Sequence, residues 1–194
     1  MRVRFLLAAM AAVSLGWGAE QRLVEGNPDS AVRVIVFEDL QCPDCAVFRQ
    51  MLDEKLLPKY AAKVAFEHRD FPLARHAWAR KAAIAARFFE ETSAELAIRY
   101  RREALRSIGE TTPENFSQRL AAFAKANGID PQRALAALGD ARLASAVERD
   151  FQDGVARGVA HTPTVFVDGA PFVETFTFEE LVKAIDAALA QAAQ

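Results

Sequence analysis

Cysteine is nearly absent from this chain: two residues in 194, at positions 42 and 45. With no third cysteine, a disulfide framework is excluded. A purely structural Cys42–Cys45 bridge stays open, but so short a loop constrains little of the unfolded chain. Charge of one sign is lacking too. The 24 basic and 26 acidic residues leave a net charge of −2. Without a basic excess to neutralise phosphates, nucleic acid is not expected as the main partner. Histidine is scarce, and His68, His76 and His161 show no paired spacing. Half of a zinc site at the cysteines would therefore lack its other two ligands, and no metal is expected. Low-complexity tracts and repeats are missing, which argues against disorder beyond the termini. No apolar run reaches the roughly 20 residues of a spanning helix.

What is present is a core. Hydrophobic residues make up 52% of the chain, enough for one globular domain or one domain carrying a sizeable insertion. The start has its own character. Met1-Arg2-Val3-Arg4 is basic, residues 5–15 are apolar apart from Ser14, and Gly16 and Gly18 supply small residues for a cut after Gly18. This is the layout of a cleaved signal peptide over residues 1–18. An uncleaved anchor is the alternative, and the shortness of the run counts against it. Export implies a periplasmic or secreted protein, where disulfides form and persist.

The periodicity alternates between strand and helix. Ala31-Val32-Arg33-Val34-Ile35-Val36-Phe37 reads as a buried strand, with residues 21–24 as a short leading strand. From Pro43 the pattern is helical, with Val47 and Met51, and Phe48, Leu52 and Leu56, at four-residue steps; Pro58 is expected to stop it. A second strand covers residues 64–70. Helical signals then continue to Gly158. Among them, Leu143, Val147, Phe151 and Val155 form one stripe, and Asp130 and Asp140 stand at helix starts. The aromatic residues Trp78, Phe88, Phe89, Phe116 and Phe123 are expected mostly in the core, and Arg99-Tyr100-Arg101-Arg102 as a solvated helix face. Late strands at residues 164–167 and 171–173 flank Asp168-Gly169, a two-residue hairpin signal. Thr177-Phe178-Glu179-Glu180 is a capping box for a terminal helix. The fold class is α/β, with an all-helical insertion.

A strand leading into Cys42-Pro43-Asp44-Cys45, followed much later by Thr162-Pro163-Thr164-Val165-Phe166-Val167-Asp168-Gly169 and a final helix, resembles the thioredoxin fold. The helical insertion makes the chain similar to the DsbA-like thiol-disulfide oxidoreductases. The segment from Phe37 to Cys45, the segment His68-Arg69-Asp70-Phe71-Pro72-Leu73 with His76 after it, and the loop Gly158-Val159-Ala160-His161-Thr162-Pro163 carry the likeness. It implies a thioredoxin-like core over residues 19–72 and 158–194, with the insertion at 73–157. One departure stands out. The family often carries an acid six residues before the first cysteine, and here that position is Val36. Glu38 lies two residues on and points to the same side of the strand. Either it takes over part of a proton-transfer role, or it is a solvated strand-end carboxylate.

Cys42 is the candidate nucleophile, expected exposed at the positive end of a helix, and Cys45 the buried resolving thiol. Asp44 between them would disfavour a thiolate and make the disulfide a weaker oxidant than DsbA, unless solvent screens it. A potential nearer the roughly −180 mV of protein disulfide isomerase than the roughly −120 mV of DsbA is expected. The resemblance makes Pro163 a cis-proline and Thr162 the residue whose backbone pairs with an extended substrate. His161 is either a pH-dependent charge beside Cys42 or a loop histidine without a role. The expected function is disulfide donation to reduced exported proteins, by a monomer. No cofactor is expected beyond the thiol pair. A quinone-linked DsbB-like or vitamin K epoxide reductase-like membrane protein would reoxidise it. A reductase or isomerase kept reduced, and a metallochaperone holding copper through the thiols and His161, are the other readings.

Overall fold

The computed structural model describes residues 22–194; the signal peptide expected at 1–18 lies outside the described residues. Strand β1 (Val24–Gly26) is followed by β2 (Arg33–Glu38) and helix α1 (Pro43–Met51). A π-helical turn (Leu52–Leu56) joins α1 to α2 (Leu57–Tyr60), and β3 (Ala65–Asp70) follows. Then come α3 (Ala79–Glu90), α4 (Ala94–Arg106), α5 (Phe116–Ala126), α6 (Pro131–Ala136) and α7 (Ala141–Ala156). The chain closes with β4 (Thr164–Val167), β5 (Ala170–Val173) and α8 (Phe178–Ala192). The strands form one mixed sheet in the order β1-β3-β2-β4-β5, with β2 and β3 parallel and the other pairs antiparallel.

The sheet is covered on both faces, and alternation along β2 decides which residue goes where. Val34 and Val36 pack with Phe48, Leu52, Leu181 and Ile185 under α1 and α8. Ile35 and Phe37 face the other way, against Phe71, Phe151 and Phe166. Each fully buried side chain of this size contributes about 1.5–3 kcal/mol. Helix α7 comes close on that second side because Gly154 has no side chain. A Cβ there would stand 2.6 Å from the Phe71 ring and 3.0 Å from Phe37. The insertion helices share their own core, in which Trp78, Phe89, Tyr100, Phe116 and Leu120 meet Leu40, Cys42 and Cys45.

Local signals set the ends. Asp168 and Gly169 both have positive φ (47° and 79°), as a tight hairpin turn requires. Ser93, Asp130 and Asp140 cap α4, α6 and α7, and Thr177 and Glu180 form the reciprocal capping box of α8.

Four details differ from the sequence reading. The leading strand sits further along, at Val24–Gly26. Pro58 does not stop the helix, because the π-helical turn changes register just ahead of it and Pro58 falls in the first turn of α2, where no N–H is needed. Val47 and Val155 are exposed, and the buried face of α7 runs through Leu143, Val147, Asp150 and Gly154 instead. The arginine run is not a solvated face. Arg99 is exposed, but Tyr100 and Arg101 are buried, at 4% and 1% exposure. Arg101 can be buried because two carboxylates meet it.

Candidate active site

Strand β2 ends at Glu38, and a three-residue turn delivers Cys42 to the N-cap of α1. Pro43 takes the first helical position, where its missing N–H costs no hydrogen bond. Asp39 ties the turn together. Its carbonyl accepts from the Cys42 N–H (3.0 Å), and its N–H donates to the Cys45 Sγ (3.4 Å). Its carboxylate accepts from the N–H groups of Gln41 and Leu73 (both 2.7 Å) and lies 2.8 Å from His76 Nδ1. Gln41 Oε1 in turn accepts from the Trp78 N–H at 2.7 Å, so the turn is pinned to the start of the insertion. Asp39 and Gln41 were assigned no role from sequence. Their signal was present, since a short Asp two residues before an unpaired N–H is an Asx-turn pattern.

Both cysteines are free thiols, and both are buried. Cys42 was expected to be exposed, yet it is 1% exposed. The loop before β4 lies across it, and its Sγ donates to the Thr162 carbonyl at 3.2 Å. The Thr162–Pro163 peptide bond is cis. Thr162 is wholly buried, and its hydroxyl has no hydrogen-bond partner.

The two thiols are driven in opposite directions. A hydrogen bond from Cys45 is the largest influence on Cys42. Burial opposes it, but Thr162 and the N–H groups of Cys45 and Asp44 add to it, and the thiol falls from 9.0 to about 6. Cys45 is pushed well up, first by burial, then by its bond to Cys42 and the charges of Cys42 and Glu38; only the Asp39 N–H works the other way. Asp44 itself is exposed, and what it brings to Cys42 is that backbone N–H, which favours the thiolate.

Glu38 is 3% exposed, which removes the solvated alternative. Its Oε1 lies 2.8 Å from His68 Nδ1 and accepts from Arg101 at 3.0 Å. Burial would raise its pKa, but His68 and Arg101 outweigh burial and hold it below the usual carboxylate range. From Glu38 the ion pairs extend in two directions. One way runs through His68 to Glu25, and on to Arg49, Arg102 and Asp53. The other runs through Arg101 to Asp70, then Arg87 and Asp150. His161, next to Thr162 in the chain, is exposed and 3.1 Å from Glu174 Oε1. Among the described residues, no group of three or more His, Cys, Asp or Glu side chains is placed to hold a metal ion. Among the same residues, no helix is long and apolar enough to cross a membrane.

None of the curated proteins compared with the chain matches it. Solved structures do. Alpha-DsbA1 of Wolbachia pipientis superposes with a TM-score of 0.79 at 18% identity, over 90% of this chain and 94% of that one. Oxidised BdbD of Bacillus subtilis gives 0.79 at 22%, over 87% and 93%. DsbA of Chlamydia trachomatis gives 0.76 at 17%, over 91% and 95%. These likenesses establish a shared fold, a thioredoxin-like sheet with a helical insertion. A family model described as Thioredoxin matches residues 19–187, nearly the whole chain, and the protein therefore belongs to the thioredoxin family.

Proposed function

We propose that the protein is a thiol-disulfide oxidoreductase that donates the Cys42–Cys45 disulfide to reduced exported proteins. The observation that carries this reading is the split between the two thiols, one lowered to about 6 and the other raised well above 9.0. Such a pair has one attacking thiolate and one protonated reserve. In the donating direction, a substrate thiolate attacks Cys42 Sγ, the disulfide breaks, and Cys45 leaves and takes up a proton. A second substrate thiolate attacks the substrate sulfur of the mixed disulfide. The substrate closes its disulfide, and Cys42 departs as the thiolate that its surroundings favour.

Reoxidation runs the other way. The Cys42 thiolate attacks the disulfide of a membrane partner, DsbB-like or vitamin K epoxide reductase-like, and forms a mixed disulfide. Cys45 must then lose its proton before it attacks Cys42 Sγ and releases the partner's thiolate. Glu38, a buried carboxylate whose charge bears on Cys45, is proposed to carry that proton only in passing, since its ionised form is the favoured one. Thr162 and Pro163 form the proposed edge for an extended substrate; the Thr162 carbonyl now held by Cys42 is freed once the sulfur enters a disulfide. Residues 1–18 would direct export, and the insertion at 73–157 would be the family's added helical unit.

The lowering of Cys42 to about 6 supports a poise less oxidising than that of DsbA, whose thiol lies at about 3.5. The expected potential is correspondingly more negative than DsbA's roughly −120 mV. Equilibration with glutathione measures it. A value at or above DsbA's would refute this poise. Insulin reduction that survived in Cys42→Ser would refute the exchange activity itself. The redox state of the pair in cells tests direction: a mostly reduced pair would overturn the donor role in favour of a reductase or isomerase.

A further inference from the structure

His68 is wholly buried on β3 and has a carboxylate at each ring nitrogen: Glu38 of β2 lies 2.8 Å from Nδ1, and Glu25 of β1 lies 3.0 Å from Nε2. An ionised carboxylate only accepts hydrogen bonds, and a neutral imidazole has one donor nitrogen. With both carboxylates ionised, the ring must donate from both nitrogens and carry a positive charge. Their ionisation is supported from outside the pair. Arg49 of α1 and Arg102 of α4 bind Glu25, and Arg101 of α4 binds Glu38. The further charged groups packed against these are Asp53, which Arg49 and Arg102 hold, and Asp70, which Arg101 and Arg87 hold.

We propose that His68 is a positioning residue for the thiol pair: a permanently charged imidazolium, clamped between Glu25 and Glu38, that holds the Glu38 carboxylate ionised one residue before the Asp39 N–H that donates to Cys45 Sγ. This rests on the oxidoreductase reading above. Arg101 meets Glu38 on the same oxygen that His68 does, so it does not replace the second bond when the ring is lost. Both Glu25, lowered to about 2, and Glu38 sit below the usual carboxylate range, as partners of a cation should, and His68 is raised above the usual histidine value by the same contacts. When Cys45 gives up its proton to Glu38, the His68 Nδ1–H stays in place, and the charge lost by the carboxylate is the charge gained by the sulfur. The buried site keeps its total charge through the step.

Nitrogen-resolved NMR of the histidine rings in the intact mature protein tests this directly. The expected result is a doubly protonated His68 that does not titrate between pH 5 and 8, in both the dithiol and the disulfide forms. A neutral His68 tautomer at pH 7 would overturn the proposal, and this readout needs neither a variant nor turnover. Activity of the pair is followed separately by insulin reduction, so a catalytically silent protein with a charged His68 would sink the oxidoreductase reading and not the imidazolium. In His68→Gln, loss of the cation should raise the pH midpoint of Cys42 thiolate formation. It should also move the glutathione equilibrium on the order of tenfold toward the disulfide, which is about 30 mV for a two-electron couple. His68→Lys, which restores a cation, should bring both back toward the parent values. Equal shifts in Gln and Lys variants would show that shape matters and charge does not, and would overturn the role.

Discussion

Where α1 and α8 cover the sheet, β2 offers Val34 and Val36 and meets side chains of carbon. Two residues beyond Val36 on the same side of that strand, where α4 comes down, Glu38 meets His68 and Arg101. Both regions are closed to water, yet one is held by apolar contact and the other by paired charge. The difference matters for what each can do. Apolar packing is tolerant and silent, fixing where α1 begins and so where the thiols sit. The charged seam is intolerant of loss, since a buried ion without its partner is costly, and it delivers an electric field to Cys45. Fold and reactivity are thus assigned to adjoining parts of one strand.

The largest expected effect breaks the seam. Arg101→Ala strips a cation from Glu38 and Asp70 and should cost about 3–5 kcal/mol in urea unfolding. A loss under about 1 kcal/mol would mean that the seam contributes no more than a surface pair does. Leu181→Ala, on the apolar face, should cost about 2–5 kcal/mol by burial lost and cavity left. It should leave the thiolate titration of Cys42 unmoved; a shifted titration would erase the division between the regions. Acid separates them by pH. Glu25 is held at about 2, below its ordinary 4.5. The stability it contributes is complete above pH 4.5 and is lost as pH falls toward 2, about 3 kcal/mol in all. Unfolding curves between pH 6 and 2.5 should show this loss, and Glu25→Gln should flatten it; an unchanged slope in the variant would assign the loss elsewhere. The smallest effect lies outside both regions. Thr177→Ala removes the cap of α8 and should cost about 1 kcal/mol, with no change in redox equilibrium.

The same contrast explains what was legible in the chain. Strand alternation, the capping box at Thr177 and the Asp168-Gly169 turn announce the sheet and its last helix, because period and turn chemistry are local properties. The cysteine pair and the Thr162–Pro163 loop were legible through resemblance. The seam was not. A charged run such as Arg99-Tyr100-Arg101-Arg102 looks solvated until its partners, on strands 31 and 63 residues away, are known. His68 likewise shows nothing in its neighbours along the chain, since Glu25 and Glu38 reach it across the sheet. Cys42 was expected at the surface as the more N-terminal thiol, and the long-range return of Thr162 and the insertion core cover it.

That cover has a consequence for how the protein meets oxidants. A thiolate with a pKa of about 6 is attractive to peroxide, and open ones progress from sulfenic to irreversible sulfinic acid. Cys42 is roofed by the Thr162 carbonyl on one side and has Cys45 hydrogen-bonded to it on the other. A sulfenic acid formed there would meet the neighbouring thiol before a second oxidant could enter, and would expel water to give the disulfide. Accidental damage would thereby be converted into a reversible disulfide.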